Sequence, residues 1–551
     1  MICRVIDKGS ISIMCSTRIY AASNNAGFAH FLNKLLLAAC LLAYAGLLQA
    51  QGGLPRFEIK RFEVNGNNLL EPDQIEATLR PFTGPGKSFA DIEAARQALL
   101  IAYQEAGFGA VQVVVPEQQV SAGVVKLDIL QAKISSIKIG GNKFFSSDNI
   151  SRSLPRLKEG ETPNTRDVTQ DLRVANESPA KQVTVFFKSA ERAGEVEATA
   201  LVSDANPTKV FVSVDNTGSG ETGFQRLSLG FQYANLWDKD HVITLQYTTS
   251  PDHLKDVSIY GLGYHLPLYG YRSSIDVYGG YSDVNSGTVA GLFNVSGSGT
   301  VAGVRFNYSF DKVGDYEHKL GLSQDYRAFE SNVDFFGTQL GSDVTVRPIS
   351  LTYSGQLRLE NSGQIGFFVG AGKNIEGGND GDQAAFTLAR SGANAGYSVY
   401  RYGANLNYPF TSGWEVQALI DGQYTADALV PGEQYGLGGL SSVRGFRERE
   451  ISNDYGYRTS VELYTPNFAD SLKLQNSRLR ALMFYDAGTV KRNKALPGEV
   501  DRVGVASIGA GLRYSWDKHL NARFDYAYVL DGAPTRASGQ QRGHFSLVYV
   551  F

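Results

Sequence analysis

A chain of 551 residues exceeds one compact soluble domain and provides for two or three parts. Its 52 Lys plus Arg against 55 Asp plus Glu leave a net charge of −3, which excludes the strong basic excess of a nucleic-acid binder. The 3 cysteines are Cys3, Cys15 and Cys40, so a disulfide framework, a Cys-ligated zinc and a thiol nucleophile are excluded for everything after residue 40.

From the N-terminus, Lys34 precedes an uncharged apolar run, Leu35 to Leu48, and Ala50 ends a small-residue site before Gln51. A run this short between a cationic flank and small residues predicts a secretory signal over residues 1–50, its long n-region leaving translation to start at Met1, or at Met14 or later. The expected mature chain is exported, and its lack of cysteine suits an oxidising periplasm or surface. No stretch after residue 50 reaches the ~18 apolar residues of a spanning helix, so a membrane crossing requires strands.

The next 150 or so residues contain a repeat. Phe62-Glu63-Val64-Asn65-Gly66-Asn67 is echoed by Ile137-Lys138-Ile139-Gly140-Gly141-Asn142, each position 75 further on, and Ile75 is matched by Ile150. An ungapped period across apolar and glycine positions predicts two duplicated domains, 56–132 and 133–205. Each reads as strand, two helices, two strands. In the first, Ser88 with Asp91 starts a helix whose face is Ile92, Ala95, Leu99 and Tyr103; Val111, Val113 and Val115, then Val125, Leu127 and Ile129, alternate as half-buried strands. In the second, Val168, Leu172 and Ala175 mark the helix, with strands at Val183, Val185, Phe187 and at Val196, Ala198, Ala200, Val202. Gly66 and Gly141 are expected to permit a tight turn after the first strand. These modules resemble POTRA domains, the periplasmic chaperone-like modules of outer-membrane transporters. The resemblance implies recognition of an extended chain by strand addition at an open sheet edge.

From residue 209 to 551 the texture is that of a transmembrane β-barrel: runs of roughly ten residues alternate apolar or aromatic with small or polar, between Gly, Asp, Asn and Ser turns. Leu227, Leu229, Phe231 and Tyr233 form one such phase; Ile243, Leu245 and Tyr247 another; Tyr260, Leu262, Tyr264 and Leu266 a third; Ala522, Phe524, Tyr526 and Tyr528 a late one. Charged groups in the polar phase do not suit a dry sandwich core but suit a wet lumen. At ~21 residues per strand and connection, about 340 residues make about sixteen antiparallel strands. Closure is required because an open edge would leave amides unpaired in lipid. The final segment sets Phe545, Leu547, Tyr549 and Phe551 in one phase and resembles the terminal strand read by the outer-membrane assembly machinery.

The longest turn-rich insertion of this half, about 428–455, contains Val443-Arg444-Gly445-Phe446, followed later by Phe484-Tyr485-Asp486-Ala487-Gly488. No Lys-Ser/Thr pair or strand–helix context supports a phosphate loop. In the strand through Asp486, Leu479, Ala481, Met483 and Tyr485 form a lipid phase, and Arg480, Leu482, Phe484 and Asp486 a lumenal one. Asp486 therefore points inward, where a guanidinium such as that of Arg444 can pair with it, either holding the loop across the pore or only bracing the barrel, with Glu462 as a second candidate carboxylate. Arg447, Glu448, Arg449 and Glu450 read as a solvated charge run.

The two motifs resemble those of a superfamily that includes two-partner secretion transporters and outer-membrane insertases. With two POTRA-like modules, the chain resembles the TpsB, ShlB/FhaC-like transporters. The resemblance implies that Val443 to Phe446 is the motif of the sixth loop, folded into the barrel, and that Phe484 to Gly488, with Phe484, Asp486 and Gly488, is a second family motif on the barrel wall; Glu462 comes from the polar phase of its own strand. The resemblance implies an outer-membrane protein with periplasmic N-terminal domains that exports a large TpsA-like exoprotein, an adhesin or haemolysin, without ATP. Lipid bilayer and assembly machinery are the other expected partners, and no cofactor is expected. Some members carry a plug helix ahead of the first module; only Gln51 to Pro55 would remain here, so the sixth loop is the expected obstruction. An assembly or insertion factor of the same superfamily is the alternative, though one 75-residue period gives fewer modules than such factors carry. An outer-membrane enzyme lacks support: the His residues at 241, 253, 265, 318, 519 and 544 show no metal-ligand spacing, and no Gly-x-Ser-x-Gly occurs. A passive porin would not need the repeat.

Overall fold

The computed structural model describes residues 56–120, 122–220, 222–283, 287–289, 293–295, 298–330, 334–335, 338–339 and 342–551. The signal expected over residues 1–50 and its cysteines lie outside the described residues. Most of the first module, up to residue 102 and again from 113 to 129, forms one compact unit, and residues 103–112 with the second module and the barrel form another.

In the first module, helices Pro72–Leu79 and Phe89–Glu105 pack on a sheet in which Arg61–Asn65 runs parallel to Val124–Gln131, with Val111–Val114 beyond it. Ile92, Ala95, Leu99 and Tyr103 are buried, the face expected from their spacing. The helix start differs in its donors. Ser88 gives both its N–H and its hydroxyl to Asp91 Oδ2, each at 2.8 Å, so the carboxylate accepts the bonds. A short ribbon, Phe57–Ile59 with Gly84–Lys87, adds a pairing that the alternation did not reveal.

The second module repeats the plan. Helices Ser147–Ser153 and Thr165–Ala175 cover a sheet whose central strand, Glu195–Asp204, lies parallel to Lys133–Gly140 and antiparallel to Lys181–Ser189. The repeat extends to backbone detail. Gly66 (φ +77°) and Gly141 (φ +87°) sit at matching turns, where a Cβ would come within 2.8 Å of the Ile129 carbonyl oxygen and 2.3 Å of the Val202 carbonyl oxygen. Both glycines let the turn press against the end of the central strand.

Sixteen antiparallel strands among the described residues close into a barrel, Val344–Val346 and Pro348–Arg358 being two segments of the eighth. The first strand, Thr208–Asp215, pairs with the last, Gln541–Val550, from Ser546↔Asp215 to Val550↔Phe211. No free edge remains in the ladder, as burial in hydrocarbon demands. Side chains alternate as period two dictates: Leu229, Leu245, Tyr260, Met483 and Tyr526 are exposed on the outer face, while Ser228, Asp486 and Asp525 are buried inside. Phe310, His318 and Tyr316 stack at 4.8 and 4.9 Å near one rim, part of an interfacial aromatic belt.

Short turns line one rim and long loops the other. The second module grips the first three short turns. Arg156 donates to the Gly270 carbonyl at 2.7 Å, Arg272 to Asp167 at 3.2 Å, and Arg173 to the Phe310 carbonyl at 2.8 Å. The deepest contact is Lys181, whose fully buried ammonium donates to Asp240 at 2.6 Å and to Asn149 at 2.8 Å. Tyr269 donates to the same Asp240 carboxylate. Burial lowers the Lys181 pKa from its ordinary value, and Asp240 opposes that shift.

Removing one partner of such a pair leaves a buried charge alone, at a cost of about 3–5 kcal/mol. Lys181→Met is therefore expected to loosen the second module, read as at least about tenfold faster proteolysis of that module in proteoliposomes. Adding Asp240→Asn removes the stranded charge and is expected to recover most of the protection.

Candidate functional site

The connection between strands Glu415–Tyr424 and Tyr455–Tyr464 is the sixth long loop, and it folds into the lumen. Its stems form a small ribbon, Tyr435–Leu437 with Ile451–Asn453. Between them the chain turns on glycines and brings Val443 and Phe446 into a buried cluster with Leu437, Ile451, Val490, Val505 and Val529. Gly445 (φ +98°) lies so close to the wall that a Cβ would meet Val529 Cγ2 at 3.1 Å; its N–H donates to His544 Nε2 at 2.9 Å.

Between these two apolar anchors stands Arg444, only 2 % exposed. Its Nε donates to Asp486 Oδ2 at 2.7 Å and its Nη2 to Oδ1 at 2.8 Å, a two-pronged pairing. The Arg444 backbone N–H adds a bond to Oδ2 at 3.1 Å, and the Ser460 hydroxyl donates to Oδ1 at 2.6 Å. Both oxygens of this fully buried carboxylate are thus satisfied. The remaining nitrogen, Nη1, lies 2.5 Å from Glu462 Oε1 and 3.6 Å from Asp525 Oδ1. The guanidinium carbon sits 3.4 Å from the centroid of the Phe484 ring, a cation–π contact that fixes the plane of the fork. Asp525 also accepts from Arg513 Nη1 at 2.8 Å and from Arg523 Nε at 2.7 Å. Three cations therefore face three carboxylates, and the cluster is neutral overall.

All four wall residues named from sequence lie against the loop. Asp486 and Glu462 take the guanidinium, Phe484 lies beneath it, and Gly488 makes room for Leu437, whose Cδ2 would stand 2.8 Å from a Cβ there. Phe484 is itself accommodated by Gly509, where a Cβ would fall 2.3 Å from the ring. Ser460, Asp525 and His544 belong to the site but were not singled out. Asp525 was visible only as a charge in the polar phase of its strand, and nothing local marks Ser460 or His544. Phe545, Leu547, Tyr549 and Phe551 are not part of this site; they lie on the opposite phase from His544, with Leu547 and Phe551 exposed.

The charge run beside the motif requires correction. Arg447 is exposed, but Glu448 accepts from the Leu440 N–H at 2.7 Å, Arg449 donates to the Gln434 carbonyl at 2.8 Å, and Glu450 accepts from the Arg447 N–H at 2.6 Å. Gly438 and Gly439, both at positive φ, double the chain back so that these groups tie the loop to itself; a Cβ on Gly439 would strike the Glu448 carboxylate at 2.2 Å. They are internal struts of the loop.

A second set of ion pairs holds the stems at the long-loop rim. Arg327 donates to Glu433 at 2.7 Å, and Arg390 clasps Asp454, with Nη2 to Oδ2 at 2.9 Å. Asp454 also accepts from the N–H groups of Leu429 and Asn493, joining the fifth, sixth and seventh loops. Helix Gln383–Ala389 of the fifth loop, which carried no sequence expectation, packs Phe386 with Tyr397, Leu429 and Val430 over that rim.

Residues 57–132 match the POTRA domain of ShlB type, and residues 199–514 match the family described as haemolysin secretion/activation protein ShlB/FhaC/HecB. The heme/hemopexin transporter protein HuxB of Haemophilus influenzae is 21% identical over 471 residues, spanning 84% of this chain and 81% of that one. The outer membrane transporter CdiB of Dickeya dadantii is 25% identical over 429 residues, 73% of this chain and 71% of that one. Among solved structures, CdiB from Escherichia coli superposes with a TM-score of 0.74 at 19% identity, covering 91% of this chain and 92% of the other, which supports the fold. A closed sixteen-strand barrel with a motif-bearing loop in its lumen, preceded in the chain by POTRA domains, completes the evidence: the chain belongs to the ShlB/FhaC/HecB family of outer-membrane two-partner secretion transporters.

Proposed function

We propose that this chain captures an unfolded exoprotein in the periplasm with its POTRA modules and threads it through the barrel without nucleotide hydrolysis, as a conduit and not a catalyst. The carrying observation is an open strand edge on a module fixed to the barrel. In the second module, one outer edge is covered: Ile134 N–H donates to the Glu161 carbonyl at 3.0 Å, and Ile137 N–H to Glu159 Oε1 at 2.9 Å. The other edge, strand Lys181–Ser189, is closed at one point among the described residues. Asn176 brackets Val183, accepting its N–H at 2.7 Å and donating to its carbonyl at 3.0 Å. By antiparallel alternation, Val185 and Phe187 turn their peptide groups the same way, outward, where an extended chain can pair with them. Directionality then comes from folding outside the cell.

Val185→Pro with Phe187→Pro removes two outward N–H groups and leaves the inner ladder intact. The expected outcome is at least about tenfold less exoprotein in the medium from cells making both partners, with the barrel present in the outer membrane at its usual level. Unchanged export would remove this edge from the route.

In the same reading, Arg444 anchors the sixth loop against strands Tyr455–Tyr464, Ser477–Lys491 and Leu520–Asp531, and Phe545, Leu547, Tyr549 and Phe551 form the strand offered to the assembly machinery during insertion. Arg444→Ala strands Asp486 and Glu462 as buried carboxylates without their cation, and Asp486→Asn removes half of the fork. Both variants are expected to fold, to show altered single-channel conductance in planar bilayers, and to export several-fold less exoprotein. Conductance and export equal to those of the unsubstituted chain in both variants would contradict the anchoring role.

A further inference from the structure

The outer wall of the barrel carries a charged feature at the long-loop rim. On the thirteenth strand, Ser477–Lys491, and the fourteenth, Arg502–Trp516, the lipid-facing phase runs through exposed Met483, Tyr485, Ile508 and Leu512. It ends on Lys491 and Arg502, which the ladder sets directly opposite each other. Like charges opposite on one face of an antiparallel pair repel. Neither cation has a carboxylate within ion-pair distance among the described residues. Glu499 of the connecting loop is engaged elsewhere, by Arg492 at 2.9 Å and by the Leu496 N–H at 2.8 Å. The register therefore holds two unneutralised cations side by side, a placement that an external anion relieves.

Beside these cations runs a row of tyrosines on consecutive strands. Tyr455 stands opposite Lys491, whose Nζ lies 5.9 Å from the centroid of its ring. Tyr424 follows at 5.8 Å from Tyr455, and Tyr400 at 6.5 Å from Tyr424, both about half exposed on the outer face. Such a row marks the edge of the hydrocarbon layer. The depth agrees. From Trp516, exposed at the short-turn rim, to Arg502 the strand takes 14 steps. At ~3.3 Å per step and a tilt near ~40°, that is about 35 Å along the barrel axis. The apolar band of such barrels is about 25 Å tall, so Arg502 stands about 10 Å beyond it, among the headgroups of the outer leaflet.

We propose that Lys491 and Arg502, with Tyr455, Tyr424 and Tyr400, bind a phosphorylated glycolipid of the outer leaflet. A phosphoryl group lies between the two cations, where the Arg502 fork supplies paired donors and the Lys491 ammonium a point charge. The sugar lies along the tyrosine row, its C–H face on the rings and its hydroxyls within reach of theirs. The acyl chains then run down the exposed side chains of Tyr485 and Ile508. A phospholipid brings the phosphate without the sugar, and free phosphate brings neither sugar nor acyl chain, so the glycolipid alone uses the whole row. The inference rests on the outer-membrane location and is independent of the secretion reading.

The test is native mass spectrometry of the full chain in detergent micelles, titrated with lipid so that the fraction carrying it gives an apparent Kd. The probes are bis-phosphorylated lipid A, the same lipid with its phosphates removed, and phosphatidylglycerol. Lys491→Gln with Arg502→Gln is expected to weaken lipid A binding at least about tenfold, to the level of the dephosphorylated lipid on the unsubstituted chain. Tyr455→Ala with Tyr424→Ala is expected to weaken lipid A binding several-fold and to leave phosphatidylglycerol unchanged, which reads the sugar contact. Lys473→Gln with Lys518→Gln makes the same change of charge on exposed short turns and is expected to bind lipid A like the unsubstituted chain. Heat-modifiable mobility on gels reports a folded barrel in each variant. Four results would overturn the proposal: unchanged lipid A binding in the Lys491 and Arg502 variant, an equal loss in the short-turn variant, phosphatidylglycerol bound as tightly as lipid A, or displacement of lipid A by excess inorganic phosphate.

Discussion

Every peptide group within the hydrocarbon layer must find its partner inside the protein, and this constraint shapes the molecule from residue 208 onward. Sixteen strands close so that Thr208–Asp215 meets Gln541–Val550 and no edge faces lipid. Closure at this strand number leaves an interior too wide for wall side chains to fill. The wet lumen then admits buried charge, provided that each charge is paired. The sixth loop meets that condition by carrying its own cation to the carboxylates of the wall.

The result is an interior with two unlike sides. One side is crowded: Arg444, Asp486, Glu462, Asp525, Arg513 and Arg523 balance one another, and Val443 and Phe446 flank the fork in apolar packing. The other carries small residues on its wall, Gly366, Gly370 and Gly372 among them. The second POTRA module shares the asymmetry, since it grips the first three short turns, with Lys181 and Asp240 at the deepest point. Rigid docking there sets the position of the module's open edge relative to the lumen. A buried ion pair adds little net stability, but its geometry admits few alternatives, which suits a joint that must aim one element at another.

Much of this was legible in the sequence because period-two alternation needs no long-range information. The lipid phase Leu479, Ala481, Met483, Tyr485 and the lumenal phase ending in Asp486 follow from parity alone, and the Arg444–Asp486 pairing followed from parity plus the loop motif. What parity cannot give is which strands meet across the lumen. Asp525, Ser460 and His544 reach the site from three different strands, and no local pattern separates them from other lumenal polar residues. The run Arg447 to Glu450 was misread for a related reason: a charge run is solvated by default, and only the reversal at Gly438 and Gly439 turns it inward. The helix Gln383–Ala389 is short and lies in a long loop, where neither strand nor helix periodicity has room to accumulate.

The central claim is that the Arg444 fork holds the sixth loop in one place within the lumen. No cysteine follows Cys40, so spin labels can be introduced at Ser441→Cys on the loop and Lys518→Cys on a periplasmic turn without competing thiols in the barrel. Pulsed electron paramagnetic resonance on the reconstituted chain then reads the distance distribution between them. The account predicts one narrow distribution that broadens or splits on Arg444→Ala; a distribution of the same centre and width in both proteins would contradict it.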